Sequence, residues 1–355
     1  MPLKEIFGAQ PPIELLRQLI DSHGFYNRPK FFWKTVEKET LICAAAPPGG
    51  GRSELTPRFM RHFHVFCLPQ PSEDILRTIF EAILMGFLSE NKFQDAVIKL
   101  GTIAVASTVE IYCKISTELR PTPSKFHYLF NLRDVSKVFQ GILMTKNKSI
   151  HTAELFTHLW IHEVSRVFAD RLIDQNDILW LNNLIVKLVS NKFRYSWTYE
   201  DLFLKKKIVF TDLLTLSHEK VYYQQVNDMK KLANTLENIL IDFNLASNAK
   251  MDLVFFDDAI YHVCRIARIL NQPRGNAMVI GVGGSGKFSL TRLASFVLNF
   301  KFEQVKLTKS FKIKDFREFI KGLMYTSGQE GQSLTFLMTD TQVNSKQSLK
   351  CLDYK

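Results

Sequence analysis

The sequence predicts an α/β protein in which two partial parallel-sheet pieces flank an all-helical region. Three observations carry that expectation. Strand and helix signals alternate over residues 1–90, helical periodicity dominates 91–190, and the alternation returns over 251–342 around a glycine-rich loop. Strands separated by single helices imply parallel pairing, because a crossover must return the chain to the same end of the sheet. At about 150 residues per domain, 355 residues suit roughly two domains.

The elements follow in order. Pro11-Pro12 opens a helix with Leu15, Leu16, Leu19 and Ile20 on its apolar face, and Gly24 closes it. The apolar run Thr40–Ala46 suits a buried strand and ends at Pro47–Gly51, which no regular element can cross. A short helix over Pro57–His62 leads to a second strand, Val65–Leu68. Ser72 is placed to cap the next helix, with Glu73 and Asp74 favourable in its first turn. Ile75, Ile79, Ala82 and Ile83 share one stripe of it. The helical region 91–190 is interrupted at Arg120–Pro123 and turns at Asn147–Ser149. A connecting region, 191–250, carries a helix near Tyr222–Phe243. A long helix from Met251 to Leu270 ends at Pro273–Gly275. Beyond it come a strand at Ala277–Ile280, a helix from Gly286, a strand at Gln304–Leu307, a helix at Lys314–Tyr325 and a strand at Leu334–Met338. A polar tail, 343–355, closes the sequence.

Composition narrows the function. Hydrophobic residues make up 46%, with 29 Phe, so the chain can bury a core and is not expected to be disordered. The net charge of +11 raises nucleic acid as a partner, but the cations are scattered. The densest run, Lys205–Lys207, adjoins apolar Ile208–Phe210, so a basic surface toward acidic protein partners is the expectation and nucleic acid is not. The five cysteines, Cys43, Cys67, Cys113, Cys264 and Cys351, are far apart and form no CxxC pair, which reads as reduced intracellular thiols. No stretch reaches roughly 18 uncharged apolar residues, so no membrane contact is expected.

The chemistry concentrates at Gly281–Lys287, which satisfies GxxxxGK after an apolar strand and before a helix bearing Leu290, Leu293, Ala294 and Val297. Glycines let backbone N–H groups curl around phosphate oxygens, the helix start adds its positive end, and a lysine reaches the outer phosphates. Gly281, Gly283, Gly284, Ser285, Gly286 and Lys287 are the candidate phosphate ligands, with Phe288 and Ser289 opening the helix. Phe288 is a departure. The position after the lysine normally carries the hydroxyl that ligates Mg²⁺, and one residue turns a helix by about 100°, so Ser289 does not simply substitute.

The second half of such a site is an apolar strand ending in Asp then Glu, the Asp on the metal's side and the Glu polarising the attacking water. Leu334–Asp340 supplies the strand and a metal-side Asp340, but Thr341 follows, and its hydroxyl is a poor base. Binding without efficient hydrolysis is the expectation. His151, His158 and His162, with Glu154, share a helical face, yet Phe156 and Trp160 interleave them, so a packed histidine stripe is preferred over zinc.

These residues resemble a known family. Gly275–Ala294 is similar to the fourth AAA+ module of axonemal dynein heavy chains, in which the residue after the lysine is commonly neither Ser nor Thr and Thr339–Gln342 replaces Asp-Glu. Phe7–Gln18, Pro47–Arg52 and Thr56–His62 resemble the second half of the third module, and Pro121–Pro123 with His127–Asp134 resembles its helical lid. The resemblance implies partial P-loop AAA+ modules, bound ATP or ADP, and magnesium put in question by Phe288. It implies an arginine finger at Arg58 or Arg61 and a nucleotide-sensing lid arginine at Arg133. Implied partners are other dynein modules and subunits, with microtubules reached only through regions outside this sequence. The implied location is the cytoplasmic cytoskeleton and the ciliary axoneme. The match starts past the third module's own phosphate loop and stops near Gln342, so a truncated isoform, a partial gene model or a relic is expected.

Overall fold

The computed structural model describes residues 3–46, 53–205, 207–214, 222–247, 250–305, 313–339 and 342. It divides into two units, Met1–Pro71 and Ser72–Lys355.

The first unit contains α1 (Pro11–Ser22), β1 (Gly24–Tyr26), β2 (Trp33–Thr35) and α2 (Pro57–Met60). Prolines at the first turn of both helices preset the backbone where no intrahelical N–H bond is lost. The left-handed residue that ends α1 is His23, at φ 50°; Gly24 is instead the first residue of an antiparallel hairpin with β2. Only glycine fits there, since a Cβ would collide with the Lys34 carbonyl and the Trp33 ring. Among its described residues, Ile13 and Phe59 are the buried apolar side chains of this unit. Thr40–Ala46 and Val65–Leu68 form no ladder among the described residues, contrary to the sequence expectation, and Ile42, Val65, Phe66 and Leu68 are exposed. A strand needs a partner edge, and none of the described segments supplies one. The break at Pro47–Arg52 lies outside the described residues.

The second unit opens with five helices: α3 (Glu73–Glu90), α4 (Asp95–Glu118), α5 (Leu132–Ile142), α6 (Ala153–Val167) and α7 (Gln175–Leu188). Ser72 caps α3 by accepting from the Ile75 N–H, as its position suggested. The buried stripe of α3, however, is Leu76, Phe80, Leu84 and Leu88, whereas Ile75, Ile79 and Ile83 are about half exposed. The helix is apolar on two stripes, and packing against α4 selects the leucine one. Apolar α4 has the length and composition of a membrane span, but here it is the central core helix, with Val97, Ala104, Val105, Val109, Ile111 and Ile115 fully buried. Trp160 of α6 lies against it and donates to Thr108 Oγ1 at 2.8 Å.

After α7, a π-helical turn (Val189–Phe193) and a short antiparallel pair, β3 (Phe210–Thr211) with β4 (Gln224–Gln225), lead to α8 (Met229–Ala246) and α9 (Asp257–Asn271). Asp228 starts α8 by accepting from the Lys230 and Lys231 N–H groups, later than the Tyr222 start expected, because Gln224–Gln225 is engaged in β4. Likewise α9 begins at Asp257, not Met251. The Asn244 side chain bonds both the N–H and the C=O of Met251, at 2.8 and 2.9 Å, and holds that stretch out of the helix. The chain finishes with α10 (Lys287–Val297), β5 (Lys301–Gln304), α11 (Ile313–Gly328) and β6 (Leu334–Leu337). Strands β5 and β6 are parallel, in register Lys301↔Leu334 to Gln304↔Leu337. Ala277–Ile280 forms no strand among the described residues, a further departure from expectation. Two apolar cores result, one among α3–α7 and one among α8–α10.

Candidate functional site

The glycine-rich loop is carried on α9. That helix ends in a tight turn where Gly275 donates to the Gln272 carbonyl at 2.9 Å, and a Cβ on Gly275 would overlap the Ile269 carbonyl. From there the chain runs exposed through Met278 and Ile280 into the loop. Gly284 and Gly286 have φ of 77° and 76°, the left-handed region that glycine enters at no steric cost, so their lack of a side chain favours the curl. Ser285 Oγ donates to the Val282 carbonyl at 2.9 Å and closes the turn.

Gly286 is the N-cap of α10, and no side chain caps that helix start or places an acid in its first turn. Among the described residues, the leading N–H groups of α10 and its positive dipole end therefore have no side-chain cap, the arrangement that favours an anion. Lys287 curls back over the same loop. Its Nζ donates to the carbonyls of Gly281 and Val282, at 2.7 and 2.6 Å, and to Ser285 Oγ at 3.2 Å. Leu290, Leu293 and Ala294, on the opposite face of α10, are buried against α9 and fix the helix in place.

Phe288 turns its ring edge-on to Phe302 of β5, with centroids 5.8 Å apart and planes at 86°. Ser289 is half-buried. Magnesium is the metal that a P-loop implies, and it needs hard oxygen ligands. The side chain at the ligand position is a hydrocarbon ring with no oxygen to offer, so the described residues do not fit it. Asp340 and Thr341 lie outside the described residues. On either side of them, the Thr339 N–H donates to Gln342 Oε1 at 3.0 Å, while Gln342 Nε2 donates to the Val305 carbonyl at 2.8 Å. Gln342 thus staples the ends of β5 and β6, a role that its place in the Thr339–Gln342 motif did not reveal.

The other candidates lie on other elements of the chain. Arg58 is exposed on α2. Arg61, just after that helix, lies 3.9 Å from Asp21 and is also exposed. Arg133 is exposed on the first turn of α5, where its backbone N–H donates to the capping Asn131. Among the described residues no hydrogen bond, ion pair or ring contact joins the Arg133 side chain to the loop. His151 precedes α6, His158 is half-buried beside Trp197, and His162 is buried with Nδ1 donating to the Ile208 carbonyl at 3.0 Å.

A buried ion pair is the least legible feature near the loop. Glu163 of α6 and Arg268 of α9 are bonded with side-chain exposures of 0% and 7%, and Tyr223 Oη donates to Glu163 Oε1 at 2.7 Å. Near them Gln140 Nε2 donates to the Pro273 carbonyl at 3.3 Å, so α5 and α6 both grip the arm that leads to the loop. Nothing in the local sequence marks two residues 105 positions apart as partners.

Comparison with known proteins decides the family. Residues 251–354 match the P-loop containing dynein motor region D4, residues 1–71 match the P-loop containing dynein motor region, and residues 103–201 match the AAA+ lid domain. The human dynein axonemal heavy chain 6 is 46% identical over 345 residues, covering 97% of this chain. The chain belongs to the axonemal dynein heavy-chain family. The human dynein axonemal heavy chain 1 is 37% identical over 361 residues, and mouse dynein axonemal heavy chain 3 is 37% identical over 353. This dynein chain spans 8% of the length of the first two relatives and 9% of the third.

Proposed function

We propose that this chain is a nucleotide-holding, regulatory part of a ciliary dynein heavy chain, the ATP-driven microtubule motor of axonemes. In this reading it joins the second half of the third AAA+ module, an all-helical lid, and the first half of the fourth module. The observation that carries it is the Gly281–Lys287 loop, with two left-handed glycines, an uncapped helix start and a lysine folded over the same curl.

The loop's N–H groups would hold phosphate oxygens of ATP or ADP, and Lys287 would exchange its carbonyl partners for the stronger charge-assisted bonds that a phosphate offers. Phe288 brings no metal ligand and Thr341 no carboxylate, so holding is favoured over turnover. Arg58 or Arg61 would serve a neighbouring module's nucleotide, and Arg133 would sense nucleotide in its own. The regulation would be a shift in packing between modules that depends on the nucleotide held. Other dynein modules and subunits are the partners in this reading, and the relatives' axonemal names support a location in the ciliary cytoskeleton. The purified chain should bind a fluorescent ATP analogue, and Lys287→Ala should abolish the signal. Unchanged binding in that variant would remove the loop from the site, and turnover at a motor-like rate would remove the regulatory reading.

The exposed apolar segments favour a second reading. Ile42, Phe66, Leu68, Met278 and Ile280 are exposed on segments that form no ladder among the described residues. Such edges pair readily with other chains, which suits a non-enzymatic assembly or decoy piece and equally an unstable product. A folded chain that binds other dynein segments with Lys287→Ala unimpaired would select it.

A further inference from the structure

We propose that the loop takes a nucleoside diphosphate free of divalent metal, and that Phe288 is the residue that sets this choice. The inference rests on the nucleotide-binding reading above and adds the chemical form of the ligand.

The argument begins with what stands beside the phosphates. At the position where a hydroxyl would ligate the metal, the chain places an aromatic ring that has no lone pair to offer. That ring packs edge-on against Phe302 of β5 while about a third of it stays exposed, so it borders the loop as a hydrocarbon face. Turning α10 to bring Ser289 into its place would carry Leu290, Leu293 and Ala294 out of their core. The geometry of the helix thus fixes a hydrocarbon where a hard cation requires oxygen.

Charge then selects the ligand. A nucleoside diphosphate carries roughly three negative charges at neutral pH and a triphosphate roughly four, since each terminal phosphate titrates near pH 6. In metal-dependent sites the cation neutralises much of that charge. Here the described loop offers the Lys287 ammonium and a helix start worth roughly half a charge. Arg292, the next cation along α10, is turned elsewhere: it donates to Ser247 Oγ at 3.1 Å and lies over the Phe243 ring. One lysine and one helix end match the shorter phosphate chain better than the longer one. Lys287 already reaches back to Gly281, Val282 and Ser285, a compact curl suited to a ligand that ends at its second phosphate.

The test is fluorescence titration of the 355-residue chain with labelled ADP and labelled ATP, each in EDTA and in excess Mg²⁺. The wild-type affinity for ADP should change less than about twofold between the two buffers and should exceed that for ATP in EDTA by about tenfold or more, a factor worth about 1.4 kcal/mol. Phe288→Thr should acquire a Mg²⁺-dependent gain, while Phe288→Leu, which has no ligand atom either, should behave as the wild type; a cooperative melt establishes that each variant is folded. ADP binding that disappears in EDTA and returns with Mg²⁺ would overturn the metal-free form while leaving the nucleotide reading standing. ATP binding tighter than ADP in EDTA would overturn the diphosphate choice, and Mg²⁺ dependence in Phe288→Leu would remove Phe288 as its cause. No binding in either buffer would remove the nucleotide reading itself, and this inference with it.

Discussion

Arg268 Nε donates to Glu163 Oε2 at 3.1 Å inside a pocket that excludes water from both side chains, and this pair joins α6 to the helix that carries the phosphate loop. A charge in such a place is tolerable only while its partner is present. Glu163→Ala should therefore cost about 3–5 kcal/mol in urea unfolding, because it strands the Arg268 guanidinium. The double variant Glu163→Leu with Arg268→Met should recover most of that loss. A single variant within about 1 kcal/mol of wild type would show that the pair is solvated in solution.

Gly141 of α5 is the residue that lets the pair close. A Cβ there would overlap the Glu163 carboxylate and contact Arg268. Gly141→Ala gains about 1 kcal/mol of helix propensity, yet overpacking of this kind costs about 1–3 kcal/mol. The net effect should be destabilising, and it should shrink when Glu163 is already alanine, a coupling that a double-mutant cycle measures directly.

His162 gives the same region a dependence on pH. Burial lowers its pKa well below the ordinary 6.5, and the positive charges of Arg166, Arg268 and Arg265 push in the same direction. Glu163 and Asp170 are the carboxylates of this cluster, bonded to Arg268 and to Arg166 and Arg265. Because the folded state resists a proton that the unfolded state accepts, stability is complete above 6.5 and falls as pH drops toward the folded value. The slope should approach about 1.4 kcal/mol per pH unit. His162→Gln keeps a donor for the Ile208 carbonyl and removes the titration, so its stability should vary less between about pH 7.5 and 5.5. Half-buried His262, lowered first by burial and then by Arg265, leaves a residual slope. An unchanged slope in His162→Gln would assign the acid sensitivity elsewhere.

What could be read from the sequence was local chemistry. Ser72 caps α3 because its hydroxyl needs only the N–H three residues on, and Gly284 and Gly286 turn left-handed because glycine enters that region without steric cost. The Lys287 curl is partly local too, since its acceptors lie within six residues. Pairing was not legible. The runs Thr40–Ala46, Val65–Leu68 and Ala277–Ile280 have strand composition, but a ladder is a relation between two segments, and apolar composition names only one of them. The β1–β2 hairpin was missed because Asn27–Phe32 carries no two-residue turn signal, and its one diagnostic residue, Gly24, reads equally well as a helix stop. The Glu163–Arg268 pair is beyond any local reading, since it exists only once α6 and α9 are packed. Family resemblance, by contrast, reached the axonemal dynein family directly because it compares whole segments.

The α3 stripe turns this lesson into a measurement. Two stripes of that helix are apolar at helical spacing, and sequence periodicity alone selected Ile75, Ile79 and Ile83. In the structure Leu84 is fully buried against α4 and Ile79 is 47% exposed. Leu84→Ala should therefore cost about 2–5 kcal/mol, since it removes core volume that the surroundings only partly refill. Ile79→Ala should stay within about 0.5 kcal/mol of wild type, with lost partial burial offset by better helix propensity. Chemical denaturation of the two variants separates the alternatives, because rotating α3 by one residue exchanges the two costs. A large loss for Ile79→Ala with little for Leu84→Ala would place the isoleucine stripe in the core. Equal, moderate losses would mean that both stripes are covered in solution, and the exposed isoleucines would then be a contact surface of this chain.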